Sequence, residues 1–168
     1  IESELAQTNA QLSEIKSYNH SKEINLMYPP APFVGIVNNE DISDKANAII
    51  SAFGNNTKFI IPQGSYKLSK PISLNNNTNI IIDSCYSVIE LVGKTKAFSL
   101  TGTCDTILLT KNIINCDGNL SNVQGMIEVF SGQELNKIVI NHNVINNSVV
   151  GISLNADTDG YVVNSIIE

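Results

Sequence analysis

Five acidic residues, Glu90, Asp117, Glu128, Asp157 and Asp159, stand where paired-carboxylate chemistry could be built. Glycoside cleavage needs one carboxyl as acid and a second as base or nucleophile, about 5 to 9.5 Å apart. Strands stacked in parallel lie about 4.8 Å apart, so equivalent positions one or two rungs apart would meet that range. Glu90 follows Ile89 as Glu128 follows Ile127, so both are expected to face outward, although on different strands of a repeat. Phe130 lies just beyond Glu128. An aromatic ring covers a sugar face, and a neighbouring carboxylate accepts sugar hydroxyls. Glu128 and Phe130 are therefore the candidate glycan-binding pair. Two alternatives stand beside this one: solvated carboxylates that keep a surface soluble, and a Phe130 ring that fills a groove between subunits. No residue is assigned a catalytic role.

Other chemistries find little support. Asn155-Ala156-Asp157-Thr158-Asp159-Gly160 places oxygen ligands on alternate residues, as a calcium loop does, but lacks the distal bidentate Glu. A polar corner accounts for it, and no metal is assigned. His20 and His142 are isolated from each other, and His142 is expected on a surface strand. Cys85, Cys104 and Cys116 cannot all pair within the chain, and their spacing matches no zinc motif. They are expected to be buried free thiols, since Cys often behaves as a small hydrophobe. There is no Gly-rich phosphate loop and no Ser-centred nucleophile motif, so no cofactor is implied.

The elements that must position these residues are β-rich. The 168 residues suffice for about one domain, with 42% apolar content carried largely by Val, Ile and Leu and with many Asn for turns. A net charge of -6 opposes nucleic-acid binding. No apolar run approaches the roughly 20 residues that cross a membrane, so no membrane insertion is expected, and the acidic, polar start is not a signal peptide.

The chain divides into three parts: a stem over 1–27, a Pro-rich joint over 28–40 and a body over 41–168. With Leu5 at heptad position a, Leu12 and Asn19 also fall at a, and Ile1, Thr8, Ile15 and Lys22 fall at d. A seam this narrow suits a coiled coil better than a surface helix, and Leu at a with Ile at d favours trimers or tetramers. Leu5, Leu12, Ile15 and Asn19 are thus the expected trimer contacts. Pro29, Pro30 and Pro32 end the helix in a stiff joint. A short helix follows, capped by Asp44, closed by Gly54 and apolar at Ala46, Ile49, Ile50 and Phe53.

From Lys58 onward short apolar runs repeat. NIIID, TILLT, KIVIN and GYVVN start at residues 79, 106, 137 and 160, spacings of 27, 31 and 23. A second set is VIEL (88–91), IIN (113–115), VIN (144–146) and IIE (166–168). A third is AFSL (97–100), MIEVF (126–130) and GISL (151–154). Three strands per repeat, with no crossover helix, predict a solenoid of parallel coils. Pro62-Gln63-Gly64 is then a corner, not a reversal. In GMIEVFSG, Ile127 and Val129 should point inward, and Met126, Glu128 and Phe130 outward. The first coil would expose bare edges, and the helix near 44–53 is placed to cap it.

The stretch DISDKANAIISAF…KFIIPQGSYKLSKPISLNNNTNIII resembles the opening of pectate-lyase-like right-handed parallel β-helices. The matching residues are Asp44, Ala48, Ile49, Phe53, Pro62, Gly64, Tyr66, Leu68, Pro71, Ile72 and Leu74. Asp83-Ser84-Cys85 stands where that family often has a Gly-rich stretch. A coiled-coil stem on this fold further resembles trimeric bacteriophage tail spikes and appendages. The resemblance implies a homotrimer in the virion, assembled in the host cytoplasm. It also implies contact with other virion proteins and attachment to host envelope polysaccharide, which such proteins often cut. It places chemistry on the lateral face or between subunits. The chain is expected to be the N-terminal piece of a longer polypeptide and inactive alone. A purely structural base for a distal receptor-binding part and a secreted bacterial polysaccharide lyase are the competing expectations.

Overall fold

The structure is a computed structural model that describes residues 22–129, 133–154, 161–163 and 166–167. The stem contacts Leu5, Leu12, Ile15 and Asn19, together with His20, Phe130, Asp157 and Asp159, lie outside the described residues. Strands are β1 (Lys22–Asn25), β2 (Thr57–Ile60), β3 (Ser65–Leu68), β4 (Ile72–Asn75), β5 (Thr78–Leu91), β6 (Lys96–Thr101), β7 (Thr103–Asn115), β8 (Gly125–Val129), β9 (Glu134–Asn141), β10 (Val144–Asn146), β11 (Ile152–Leu154), β12 (Tyr161–Val163) and β13 (Ile166–Ile167). One helix, α1 (Ser43–Phe53), precedes β2 among the described residues.

Every strand ladder among these elements is parallel. The result is a parallel β-solenoid of about three turns. Each coil has three arms. The first stacks β2, the start of β5, the start of β7 and β9. The second stacks β3, the end of β5, the end of β7 and β10. The third stacks β4, β6, β8 and β11 as a separate sheet.

Corners are set by residues that tolerate a left-handed backbone. Asn56, Asn79, Thr106 and Lys137 have φ of 58°, 58°, 62° and 53°. The pairings Thr57 with Ile80, Ile80 with Ile107 and Ile107 with Ile138 place these four one above another. The Asn79 amide donates to Asn56 Oδ1 at 3.0 Å, tying two rungs. Asn visits this region more readily than most residues, which explains part of the Asn content.

Pro62-Gln63-Gly64 is the corner between β2 and β3. Both strands run parallel to β5, so the chain bends there without turning back. Ile61 N–H donates to Asp83 C=O, and Val88 N–H donates to Gly64 C=O (2.9 Å each). Tyr66 Oη and Ser87 Oγ both donate to Pro62 C=O, at 2.6 and 3.0 Å. The proline carbonyl thus finds two partners although its nitrogen has no hydrogen to give.

The interior holds Phe59, Tyr66, Phe98 and a close-packed set of Ile and Leu side chains, among them Ile80, Ile107 and Ile138 stacked on the first arm. Ile81, Leu108 and Val139 form a second buried cluster, one residue further along each of these strands. The runs IIID, ILL and IVI are apolar on both faces because both faces are buried, as parallel strands commonly are.

The base of the stack is closed on all three arms. β1 pairs with β2. Residues 39–42 cover β3: Asn39 N–H donates to Ser65 C=O (2.6 Å), Ile42 N–H to Lys67 C=O (3.0 Å) and Lys67 N–H to Glu40 C=O (2.9 Å). Helix α1 covers the start of the third arm with side chains. Buried Ser43 Oγ accepts from the N–H groups of Ser69 (3.0 Å) and Lys70 (3.1 Å). One helical turn on, the Asn47 amide donates to Pro71 C=O (2.9 Å) and accepts from Ser73 N–H (2.8 Å). A helix thereby stands in for a neighbouring strand, as an unpaired edge requires.

Several expectations are corrected. Lys22–Asn25, placed in the stem, forms β1. The proline segment is no linker: it leaves β1 and returns, with Ile36 N–H donating to Leu26 C=O at 2.8 Å and both side chains buried. Asp44 is not the cap of α1. It lies within the first turn and pairs with Lys70 at 2.9 Å. Asp41 instead accepts from Ser43 N–H (3.0 Å) and Ser43 Oγ (2.6 Å). Gly54 does close the helix, at φ 61°, donating to Ile50 C=O. Met126 is buried in the core rather than outward, since inside-outside alternation begins only after the strand leaves its corner. His142 is exposed at the bend between β9 and β10, with φ 54°, rather than on a strand. GYVVN is not the counterpart of KIVIN: β12 pairs with Glu134–Asn136, and Ile166 aligns with Val139. The spacing from Val139 to Ile166 restores 27 residues, so the equivalent of KIVIN lies in the last apolar pair.

Candidate functional site

The third corner differs most from coil to coil. It spans Val92–Thr95 between β5 and β6, Cys116–Gln124 between β7 and β8, and Asn147–Gly151 between β10 and β11. The middle loop is the longest, and its residues 117–121 are exposed. Such a projecting loop on a rigid scaffold is where recognition is commonly built.

Its shape comes from short polar side chains. Asp117 Oδ1 accepts from Asn119 N–H at 2.8 Å, and Oδ2 accepts from the Asn122 amide at 2.6 Å. Asn119 Oδ1 accepts from Ser121 N–H at 2.9 Å. These are turns in which an Asx side chain replaces a backbone carbonyl. Gly118 at φ 71° supplies the sharp bend. Buried Gln124 then fastens the loop to the coil beneath. Its amide donates to Leu91 C=O (3.1 Å) and Gly93 C=O (2.7 Å), and its oxygen accepts from Asp117 N–H (2.7 Å).

A cleft opens on each side of this loop. The first, about 540 Å³, is lined by Glu90, Asn115, Cys116, Asp117, Asn146 and Asn147. Its floor is an outward column on the second arm, where Glu90, Asn115 and Asn146 sit one above another; Lys67 continues the column beneath the cleft. The Asn146 amide donates to Asn115 Oδ1 at 2.9 Å. Polar groups spaced by rungs offer regularly repeated donors and acceptors. The Cys116 thiol at the cleft's inner edge is pushed up by burial, with Asp117 adding to that and a Ser148 hydrogen bond opposing it. It therefore stays a neutral thiol at neutral pH.

The second cleft, about 430 Å³, is lined by Lys94, Thr95, Lys96, Ser121, Asn122, Val123 and Glu128. Glu128 is half-buried on β8, in an outward column with Ser99 below and Ser153 above. Lys96 is buried, and its ammonium donates to Val123 C=O, pinning the far end of the loop.

The candidate carboxylates therefore separate. Glu90 and Asp117 meet at one cleft, Glu128 lies at the other, and Asp157, Asp159 and Phe130 fall outside the described residues. Both oxygens of Asp117 are engaged in loop geometry, which leaves Glu90 as the carboxylate offered to that cleft. The cleft thus presents one carboxylate beside the side-chain amides of Asn115, Asn146 and Asn147. No group of three or more His, Cys, Asp or Glu converges for a metal among the described residues. The three cysteines are free thiols, with Cys104 and Cys116 buried and Cys85 half-buried. Lys96, Gln124 and Asn146 escaped sequence reasoning. The one available signal was the unequal spacing between VIEL and AFSL against IIN and MIEVF, which marks a long corner.

The chain matches no protein-family model, no curated protein and no solved structure.

Proposed function

We propose that this chain is the N-terminal part of a trimeric bacteriophage tail-spike or appendage protein that attaches to host envelope polysaccharide. The fold would then be the right-handed form of the parallel solenoid, as in pectate-lyase-like proteins. The observation that carries the proposal is the first cleft: an outward ladder of Glu90, Asn115 and Asn146, continued below the cleft by Lys67 and walled by a polar loop. Such a surface suits an extended, hydroxyl-rich polymer lying along the stack. The stem heptads in the sequence supply the argument for three copies.

Binding of purified envelope polysaccharide from candidate hosts tests the attachment. Glu90→Gln and Asn146→Ala are both exposed changes, expected to lower affinity severalfold while leaving the melt unchanged. Equal binding by parent and both variants would remove the cleft from the function. Light scattering tests the assembly: three chain masses are expected, and a single mass at tens of micromolar rejects the trimer. If the chain is trimeric yet binds no polysaccharide from a host of its own virus, the purely structural base is the better account.

A further inference from the structure

We infer that the second cleft is an anion site, and that it takes the carboxylate of a hydroxyl-rich ligand such as an acidic sugar. This rests on the glycan reading for the ligand's class, but on separate residues.

Lys96 is only 7% exposed. Its ammonium meets the Val123 carbonyl, a neutral partner. Buried ammonium groups are ordinarily paired with an opposite charge. The ion pairs Lys45 with Glu40, Lys70 with Asp44 and Lys111 with Asp83 lie elsewhere, and among the described residues neither Lys94 nor Lys96 has a carboxylate within 4.0 Å. Exposed Lys94 lines the same cleft and brings a second cation to its mouth. Glu128 lines it from β8.

Two lysines and one glutamate leave the cleft one positive charge in excess, on a chain of net charge -6. A single carboxylate balances that excess. A phosphate dianion overshoots it and meets Glu128 as a like charge. Glu128 and Ser121, which line the same cleft, supply an acceptor and a hydroxyl for the hydroxyls of a sugar ring. The same three groups thus favour a monoanion that carries hydroxyls.

The purified chain is titrated with sodium glucuronate, with glucose and with inorganic phosphate at low ionic strength, following amide resonances. Glucuronate is expected to shift residues 94–96 and 121–123, at least tenfold more tightly than glucose, and to weaken as salt is added. Lys94→Gln, an exposed change, should lower that affinity about three- to tenfold with the melting temperature unchanged. Lys96→Met should abolish it and also loosen the loop. Equal response to glucuronate and glucose, or full affinity in Lys94→Gln, overturns the site. Phosphate binding more tightly than glucuronate overturns the choice of a carboxylate. Glu90 and Asn146 are absent from this cleft, so a failure here leaves the polysaccharide test in the first cleft standing, and the reverse holds too.

Discussion

Ser43 does at the residue scale what a whole strand does elsewhere. Its one hydroxyl oxygen receives two N–H groups of the corner that leads into the third arm and gives its own proton to Asp41. In Ser43→Ala these part-buried N–H groups lose their partner, at about 1 kcal/mol each, the low end for an unmade hydrogen bond, because Ser69 and Lys70 are exposed. A loss of about 2 kcal/mol is expected, which a thermal melt would register as roughly 4 to 8 °C for a domain of this size. A melt within 1 °C of the parent would show that water substitutes freely. Asp41 acts on the same seam. Burial pushes its carboxyl up, but hydrogen bonds from Ser43 and Ser69 outweigh this and hold it below the usual carboxylate range. A carboxyl held low when folded adds stability above its unfolded value, about 3.9, and loses it as pH falls through the folded value. The acid limb of the stability curve should therefore flatten in Asp41→Asn, with lower stability at neutral pH.

At the scale of elements, the Cys116–Gln124 loop is fastened at one end by Gln124, whose side chain bridges two coils, and at Val123 by Lys96. Gln124→Leu keeps the volume and removes all three hydrogen bonds, leaving the buried Leu91 carbonyl without its Gln124 donor while Gly93 C=O keeps only Thr95 N–H. A cost of about 1 to 3 kcal/mol is expected. Exposed Leu120 at the loop's tip then becomes a faster chymotrypsin site. Unchanged cleavage would mean that the Asx turns alone keep the loop in place. How much of this was legible in the sequence differs by element. The strand runs and their alignment through KIVIN were readable because apolar runs and Asn corners recur at near-constant distance. The alignment failed at GYVVN because two apolar pairs, VV and II, lie close together, and hydrophobicity alone does not choose between them. The helix was readable from its apolar face and from Gly54 at its end, but its start was not: Asp44 suits an N-terminus by type, whereas the helix begins after Ile42 with no side-chain cap, and Asp41 is tied to Ser43 and Ser69. The clefts were hardly legible at all. They arise where a loop of one coil overhangs the next, a relation between residues some thirty apart, such as Lys96 with Val123 and Leu91 with Gln124.

For the molecule as a whole, the three thiols make a common statement about alkaline conditions. Burial is the chief cause pushing up Cys85, Cys104 and Cys116, aided at Cys85 by the Asp83 charge. An unfolded thiol ionises near 8.5, while these remain protonated until higher pH. The unfolded state therefore sheds protons first, and folding stability is full below about 8.5 and declines above it. Denaturant midpoints measured between pH 7.5 and 10 should fall, and Cys104→Ala should fall less steeply from a lower starting value. A flat profile across that range would mean that the thiols ionise alike in both states.

The closed base gives the stack a direction in time as well as in space. No further strand can join beneath β2, β3 and the start of the third arm, because β1, residues 39–42 and the side chains of α1 already occupy those positions. The later coils of the chain are laid on the opposite side. During synthesis the N-terminal part emerges first, at roughly 5 to 20 residues per second. Once residues 22–75 have left the ribosome, a finished template exists. Each later coil, such as the one from Asn79 to Asp105, needs only a few seconds of further translation before its three arms can be matched rung by rung. The molecule is thus suited to being completed while it is still being made, each coil sheltering the edge of the one before.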